Sequence, residues 1–231
     1  MTRAGPGLFV TGTDTGCGKT TVGCALARHA RAQRLRVRIL KPVETGCSEE
    51  EKERVALDAR RLARAAGDER SPSSLCPYRL ALPAAPSVAA AAEGLEIDPL
   101  RIESAYREAA SDSDLVLVEG AGGLRVPVAP ELEMVDLAAR LGLPLVVVCR
   151  ARLGTLNHTL LTLEAAARRG LPVVGVVISH TDPALSRADR ANLDALRREL
   201  PVRCLGELAF GAQAIEPTPD LRALVAPPGS S

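Results

Sequence analysis

VTGTDTGCGKTT, residues 10–21, lies between a short apolar run and a stretch of helical periodicity. Its composition predicts a phosphate-binding loop. Glycines allow backbone N–H groups to turn towards a polyphosphate, Lys19 supplies a positive charge, and the Thr20 hydroxyl is a ligand for Mg²⁺. We therefore expect the chain to bind a nucleoside triphosphate.

The spacing of this segment differs by one residue from the usual phosphate-loop pattern. G-x-x-x-x-G-K-[ST] requires glycine at position 13, where this chain has Thr13 and carries Gly12 one place earlier. A chance glycine-rich turn is the alternative interpretation. We interpret Cys17 within the loop as a small filling side chain, with a thiol that ionises more readily at the helix N-terminus as the alternative. The order of strand, turn, Gly-Lys-Thr-Thr and helix favours the phosphate loop but does not identify the reaction.

The length and charge of the chain exclude several classes of protein. A chain of 231 residues is long enough for one α/β domain, and we favour a single domain over 1–231. Twenty-nine basic and 28 acidic residues give a net charge of +1, which provides no attraction to nucleic acid or anionic lipid. Apolar runs such as 143–149 are too short to span a membrane. We expect a cytoplasmic protein whose six cysteines are reduced.

Short apolar runs alternate with longer segments of helical periodicity, and fully apolar strands are typical of a sheet covered on both faces. The pattern predicts a doubly wound, mostly parallel α/β fold with three layers, like that of P-loop NTPases. The predicted strands are 8–11, 37–40, 115–118, 145–149, 173–178 and 203–208. The predicted helices are 19–34, 134–141, 156–169 and 186–199, with Gly142 and Gly170 as C-terminal stops. Residues 71–99 form a long insertion, and the tail from 217 is expected to pack loosely.

Ligands of such sheets bind at the carboxyl ends of the strands, and these positions are polar in this chain. They are the phosphate loop and residues 41–46, 119–123, 150–157 and 179–182. Because the carboxyl ends of parallel strands meet at one edge, we expect a single crevice.

Two charged residues at these strand ends are candidates for chemistry. Glu119 closes the apolar run 115–118 and is a candidate Mg²⁺ ligand, although a carboxylate capping the following turn is the alternative. Lys41 ends the second strand, where its charge would join that of Lys19 in stabilising a transferred phosphoryl group. A structural salt bridge from Lys41 to Glu44 is the competing interpretation.

Several groups of residues together resemble the dethiobiotin synthetase family, and the resemblance covers nearly the whole chain. They are VTGTDT (10–15) with GKT (18–20), KPV (41–43) with TG (45–46), Asp58-Ala59, Pro77-Tyr78 with Pro83 and Pro86, VEGAGG (118–123) and LGTLNH (153–158). Asp58 is a candidate through this resemblance alone, because its spacing is that of an ordinary solvated helix residue.

The resemblance implies a reaction. Members of the family carboxylate 7,8-diaminononanoate with CO₂ and close the ureido ring of dethiobiotin, through a carbamate and a carbamic-phosphoric anhydride. ATP is the co-substrate, ADP and phosphate are released, Mg²⁺ is the cofactor and the enzyme is a homodimer. Such chemistry requires positioning and anion stabilisation more than a nucleophilic side chain.

The resemblance also implies the site residues. The catalytic residues would be Lys41, Lys19 and Thr15. ATP would be bound by Gly16, Cys17, Gly18, Lys19, Thr20, Thr21, Asp58, Glu119, Gly120, Ala121, Gly122, Ser179 and His180, and Mg²⁺ by Thr20, Asp58 and Glu119. The diamine would be bound by Thr45 and, in the neighbouring subunit, by Gly154, Thr155, Leu156 and Asn157, where exposed N–H groups of a helix opening favour the substrate carboxylate.

The sequence departs from the family pattern at two positions of the nucleotide site. Gly16 stands where an acidic residue is common, and Ser179-His180 stands where Asn-Asp is frequent. Since serine does not offer the paired donor and acceptor of an amide, we expect looser discrimination of the base.

Two other functions remain as alternatives. An amidoligase of the cobyrinic-acid diamide synthase type usually carries a glutaminase domain, for which 231 residues leave no room. A partition or division-site ATPase is expected to have a further lysine early in the phosphate loop, where this chain has Thr13 and Asp14. We therefore favour the synthetase.

Overall fold

The structure is a computed structural model that describes residues 6–51 and 53–225. The strands are β1 (Gly7–Gly12), β2 (Val37–Leu40), β3 (Val43–Thr45), β4 (Ser48–Glu50), β5 (Glu53–Val55), β6 (Tyr78–Leu80), β7 (Leu115–Gly123), β8 (Pro127–Ala129), β9 (Leu132–Glu133), β10 (Leu145–Arg150), β11 (Val173–Ser179) and β12 (Cys204–Leu208). The helices are α1 (Lys19–Ala32), α2 (Leu57–Ala66), α3 (Pro72–Leu75), α4 (Pro86–Ala92), α5 (Pro99–Ser111), α6 (Met134–Leu141), α7 (Thr155–Arg168), α8 (Arg187–Glu199) and α9 (Leu221–Val225).

A six-stranded parallel sheet forms the centre of the fold, in the order β12-β11-β10-β1-β7-β2. Strand β1 is apolar because both of its faces are covered: Leu8 and Val10 pack with α1 and α2, whereas Phe9 packs with α5 and α6. Helices α7 and α8 cover β10 and β11 on the same side as α5 and α6. The three-layer, doubly wound α/β fold predicted from the sequence is confirmed.

The chain reverses its direction of winding at β1, which lies between β7 and β10. Strand β7 continues to Gly123 instead of ending at 118, so that Glu119 lies within it, in register with Val10 of β1. The sheet therefore places the phosphate loop and Glu119 side by side at the switch point, where ligands of such folds bind.

Some predicted helix boundaries need correction. Helix α1 ends at Ala32 and not at position 34, because Arg34 has a left-handed φ of 60° and the Leu35 N–H bonds to the Ala30 carbonyl. Helix α7 begins and ends one residue earlier than predicted. Helix α8 begins at Arg187, since Ser186 is its cap and accepts from the Asp189 N–H.

Two regions are more ordered than the sequence suggested. The insertion 71–99 contains α3, α4 and β6, and β6 pairs with β3 in parallel. Helix α5 follows it and was not predicted, although Asp98 caps it and Pro99 occupies its first turn. Of the tail expected to pack loosely, residues 221–225 form α9 and Leu221 is fully buried, whereas 226–231 lie outside the described residues.

A buried carboxylate joins the end of α2 to β2. The Asp68 side chain is fully buried and accepts from the Ile39 N–H at 2.9 Å, from Arg70 at 2.7 Å and from Arg38 at 3.2 Å. Burial raises the pKa of this carboxyl, but the hydrogen bonds from Arg70 and Ile39 outweigh burial and hold the pKa of Asp68 below its usual range.

The six cysteine thiols are free, as predicted. None of the helices in the described part of the chain is long and apolar enough to cross a membrane.

Candidate active site

A crevice of about 590 Å³ opens at the carboxyl ends of the central strands. Its walls combine the phosphate loop, the ends of β2, β7 and β11, the start of α2 and the turn after β12. The predicted site residues that line it are Thr15, Gly16, Gly18, Lys19, Thr20, Thr21, Lys41, Thr45, Asp58, Glu119, Ala121, Gly122, Ser179 and His180. The structure thus brings together residues that are up to 165 positions apart in the sequence (from 15 to 180).

The phosphate loop ends on Gly18, whose φ of 98° is left-handed, and α1 begins at Lys19. A Cβ atom at Gly18 would lie 2.2 Å from Ser179 Oγ, so only glycine allows the loop to pack on the end of β11. Lys19 folds back over the loop and donates to the Asp14 carbonyl at 3.0 Å. Burial lowers the pKa of Lys19, and the neighbouring Lys41 lowers it further. The N-terminus of α1 and Lys19 together form an anion site.

Lys41 is almost completely buried at the end of β2. Its ammonium donates to Glu119 Oε1 at 2.5 Å and to the Gly120 carbonyl at 3.2 Å, and lies 3.8 Å from Asp58 Oδ2. Burial opposes the positive charge, but the carboxylates of Glu119 and Asp58 outweigh it and raise the pKa of Lys41. Lys41 is therefore a charged donor at physiological pH, and its ion pairs are with Glu119 and Asp58 instead of Glu44.

Three oxygen-bearing side chains meet beside Lys41. The Thr20 hydroxyl donates to Glu119 Oε1 at 2.9 Å, and Asp58 lines the same wall of the crevice. Glu119 Oε2 is buried and has no hydrogen-bond partner among the described residues. In the described part of the chain, no group of three or more His, Cys, Asp or Glu side chains is placed so that it could hold a metal ion by itself. Mg²⁺ is usually held by one or two carboxylates with substrate phosphates and water, and this donor set of hard oxygens fits it.

Glu44 was not predicted as a site residue, yet it positions one. Its carboxylate accepts from the Asp58 N–H at 2.9 Å and the Ala59 N–H at 3.0 Å, and so caps the N-terminus of α2. Burial raises the pKa of Glu44, although these backbone hydrogen bonds lower it. The cap holds Asp58 at the crevice. The sequence alone did not reveal this contact, because Glu44 and Asp58 are 14 residues apart.

The opposite end of the crevice is formed by β11 and the turn after β12. Ser179 is buried against the phosphate loop, and His180 Nε2 lies 2.8 Å from Glu207 Oε2. Phe210 also lines this end and is more than half exposed. Neither Phe210 nor its neighbours were predicted, although the rule that ligands bind at strand ends applies equally to residues 209–211.

Several predicted residues do not line this crevice. Cys17 is fully buried, with its thiol packed below Gly12, and Gly120 packs against Phe9 and Met134 while its carbonyl accepts from Lys41. The helix opening at 154–157 is a separate surface at the start of α7. There Thr155 is buried and its N–H bonds to the Arg152 carbonyl, whereas Asn157 is exposed.

The fold and the phosphate loop have relatives among known proteins. A family model described as an AAA domain matches residues 6–218. Among solved structures, the chain is similar to the cell division protein FtsY of Thermotoga maritima, with a TM-score of 0.57 and 17% identity, covering 96% of this chain and 67% of that one. It is also similar to FlhF complexed with GMPPNP/Mg(2+), with a TM-score of 0.52 and 15% identity, covering 98% of this chain and 76% of that one. These likenesses define an α/β protein with a P-loop NTPase-like fold.

Closer relatives narrow the class to one family. The ATP-dependent dethiobiotin synthetase BioD of Anaeromyxobacter dehalogenans (strain 2CP-C) is 51% identical over 177 residues, which are 77% of this chain and 78% of that protein. The protein of the same name from Aromatoleum aromaticum is 44% identical over 206 residues, 89% of this chain and 91% of that protein. The chain belongs to the ATP-dependent dethiobiotin synthetase family. The prediction of an ATP-dependent cyclo-ligase that closes the ureido ring of dethiobiotin is confirmed.

Proposed function

We propose that one domain, spanning 1–231, carries out the whole reaction in the crevice beside the phosphate loop. The observation that carries this proposal is the position of Lys41. Its buried ammonium lies between Glu119, Asp58 and the Gly120 carbonyl, in the same crevice as Lys19. A binding module for nucleotides needs only the phosphate loop, whereas a transferase also needs a charge on the acceptor side.

The phosphate loop would bind ATP, with the phosphates at the N-terminus of α1 and on Lys19. The hydrogen-bond donors to the phosphates would be the backbone N–H groups of residues 16–21. Cys17 would contribute only its backbone N–H, because its side chain is buried. The base would lie at the end formed by Ser179, His180 and Phe210. Ala121 and Gly122 line the crevice and would allow close approach of the nucleotide and the diamine because they lack bulky side chains, whereas Gly120 would act through its carbonyl on Lys41.

Mg²⁺ is proposed as the cofactor, held by the Thr20 hydroxyl and the carboxylates of Glu119 and Asp58. When bound, it would neutralise negative charge on the phosphates. The unpartnered Glu119 Oε2 supports this assignment, because a buried carboxylate oxygen without a donor is costly unless a cation or ligand completes it. Glu44 would keep Asp58 in place by capping α2.

Lys41 would act on the substrate side. An amine of the diamine attacks CO₂, loses a proton and becomes a carbamate, whose oxygen then attacks the γ-phosphorus and releases ADP. Lys41 neutralises the carbamate and the charge that develops during transfer, with Thr15 and Lys19 beside it. The second amine attacks the carbonyl carbon of the mixed anhydride, expels phosphate and closes the urea. Thr45 at the end of β3 would contact the diamine.

A homodimer is part of the proposal. Leu153 precedes α7 and Leu161 lies in the middle of it; they are 64% and 54% exposed, and burying this apolar surface against a second copy would be favourable. The substrate carboxylate would then meet the N–H groups at Gly154, Thr155, Leu156 and Asn157 of the neighbouring subunit. Of these groups, Leu156 and Asn157 lie in the first turn of α7, where N–H groups lack partners within the helix.

We also propose the cytoplasm as the compartment, without nucleic acid or membrane as a partner. The reduced cysteines and the net charge of +1 support this assignment.

The experiment that tests the proposal measures dethiobiotin made by the purified protein from 7,8-diaminononanoate, bicarbonate and Mg²⁺, with ATP, GTP and CTP in parallel. We expect product with ATP, its loss with EDTA and recovery with added Mg²⁺. Measurable product with GTP or CTP would agree with the looser base discrimination expected from Ser179 and His180. Product formation that is unaffected by EDTA would refute the metal assignment.

A further inference from the structure

A second cavity, of about 760 Å³, adjoins the crevice between α1 and α2. Thr21, Arg61 and Gly211 line both spaces, so the second cavity continues the nucleotide site. Four arginines line the second cavity, and we call it the arginine cleft. They are Arg28, Arg31, Arg61 and Arg64.

These arginines form two pairs, one on each helix, and both pairs line the same cavity. Arg28 and Arg31 are three residues apart on α1, and Arg61 and Arg64 are three residues apart on α2, so each pair shares one helix face. Thr21 also lines the cleft, at the start of α1. From Thr21 to Arg31 the helix rises by about 15 Å. The cleft therefore leads away from the phosphate loop and is too long to belong to the bound triphosphate alone.

The cleft carries positive charge without a carboxylate to balance it. No acidic residue lines it, and among the described residues Arg28, Arg31 and Arg64 form no ion pair. Arg61 forms one ion pair among the described residues, at 3.9 Å from Asp58. Elsewhere on the protein the pattern is different, since Arg38 and Arg70 both pair with Asp68.

Guanidinium groups that line one cavity without a carboxylate repel one another, and an anion between them relieves the repulsion. Guanidinium is planar and offers its N–H donors in a fork that matches the oxygens of a phosphate group. Gln213, on the wall of the cleft, adds a neutral side chain with an amide donor.

We propose that the arginine cleft binds a multiply charged phosphate anion while a nucleotide occupies the crevice. The phosphate groups would lie between α1 and α2, paired with Arg28 and Arg64. This inference depends on the proposed function only for the location of the nucleotide. All four arginines are exposed, so binding is expected to weaken as salt is added.

The test is calorimetric titration of the protein after saturation with Mg²⁺ and a non-hydrolysable ATP analogue, which blocks the phosphate loop. Tripolyphosphate and adenosine 3′,5′-bisphosphate are the two probes, because one is inorganic and the other an organic ester. We expect one equivalent of at least one probe to bind, and the probe that binds identifies the source of the phosphate. Replacing Arg28→Gln together with Arg64→Gln should weaken this binding about tenfold or more.

The matched control is Arg187→Gln with Arg198→Gln on α8. It removes the same charge from two exposed residues that line neither cavity, and it should leave the affinity unchanged. Equal binding by the wild type and the Arg28/Arg64 variant, absence of binding at low salt, or release of the analogue by the probe would each overturn the inference. If the analogue itself fails to bind, the proposed nucleotide site is wrong, and the same pair of variants then tests the cleft in the protein without nucleotide.

Discussion

The two ends of α2 carry buried charge in different ways. Beyond its C-terminus, Asp68 accepts hydrogen bonds on both carboxylate oxygens, from the Ile39 N–H, Arg38 and Arg70. At its N-terminus, Asp58 and Glu119 surround Lys41 at the edge of the crevice, and Glu119 Oε2 has no partner among the described residues. A carboxylate whose two oxygens both accept hydrogen bonds stabilises the fold, whereas a carboxylate with an unpartnered oxygen is available to a ligand. We therefore assign Asp68 to stability and Glu119 to function.

The largest effect is expected from Lys41→Gln. The substitution removes the charge proposed for the carbamate while keeping a hydrogen-bond donor, so kcat should fall by about 10³-fold. Binding of an ATP analogue, measured by calorimetry, should change little because the phosphate loop is intact. Loss of analogue binding with normal turnover at saturating ATP would assign Lys41 to the nucleotide instead.

Asp68→Asn should affect stability and leave the chemistry unchanged. It removes a buried charge that pairs with two arginines, which typically costs about 3 kcal/mol in the free energy of unfolding. Urea denaturation measures this loss, and kcat per folded molecule should remain that of the wild type. A fall in kcat comparable to that of Lys41→Gln would show that the two ends of α2 are not separate in function.

Glu119→Gln tests the carboxylate that has an unpartnered oxygen. The amide retains the size of the side chain but is a poorer ligand for a cation, and the apparent affinity for Mg²⁺ should fall by about 10- to 100-fold. The measurement is the Mg²⁺ dependence of turnover, together with Mg²⁺ binding in the presence of an ATP analogue. An unchanged Mg²⁺ dependence would contradict the assignment of Glu119 to the metal.

The smallest effect concerns acid pH. Because the pKa of Asp68 is lower in the folded than in the unfolded chain, the unfolded chain binds the proton more readily. The contribution of ionised Asp68 to the free energy of unfolding is therefore complete above the ordinary pKa of about 3.9. It is lost as the pH falls through the pKa of Asp68 in the folded chain. The difference in unfolding free energy between the wild type and Asp68→Asn should shrink below about pH 4. If the difference in unfolding free energy does not change with pH, the charge of Asp68 does not contribute to it and the stabilisation comes from packing alone.

The sequence predicted the parts of the fold that depend on local pattern. The apolar strands, the phosphate loop and the glycine stops at Gly142 and Gly170 are short-range features, and the structure contains all of them. Helix α5 was missed because its buried stripe is narrow, with only Ile102, Tyr106 and Ala109 buried. The signals that mark its start, Asp98 and Pro99, were present in the sequence.

The site shows the same division between local and distant features. Lys41 and Glu119 were identified because each follows directly on an apolar run of a core strand, a position that chain order reveals. The partner of Lys41 was not predicted, since the contact with Glu119 spans 78 residues and depends on β2 and β7 being neighbours in the sheet. The cap from Glu44 to α2 and the position of Phe210 likewise require the assembled fold.

The fate of the CO₂ oxygens shows whether a carbamate is phosphorylated in the crevice beside Lys41. The enzyme is supplied with C¹⁸O₂, diamine, Mg²⁺ and ATP, and is quenched before exchange with water. Because the bridging oxygen of the mixed anhydride leaves with phosphorus, we predict one ¹⁸O atom in each released phosphate and one equivalent of phosphate per dethiobiotin. Phosphate without ¹⁸O, or ATP hydrolysis that is indifferent to the diamine and yields no urea, would show that no carbamate is phosphorylated there.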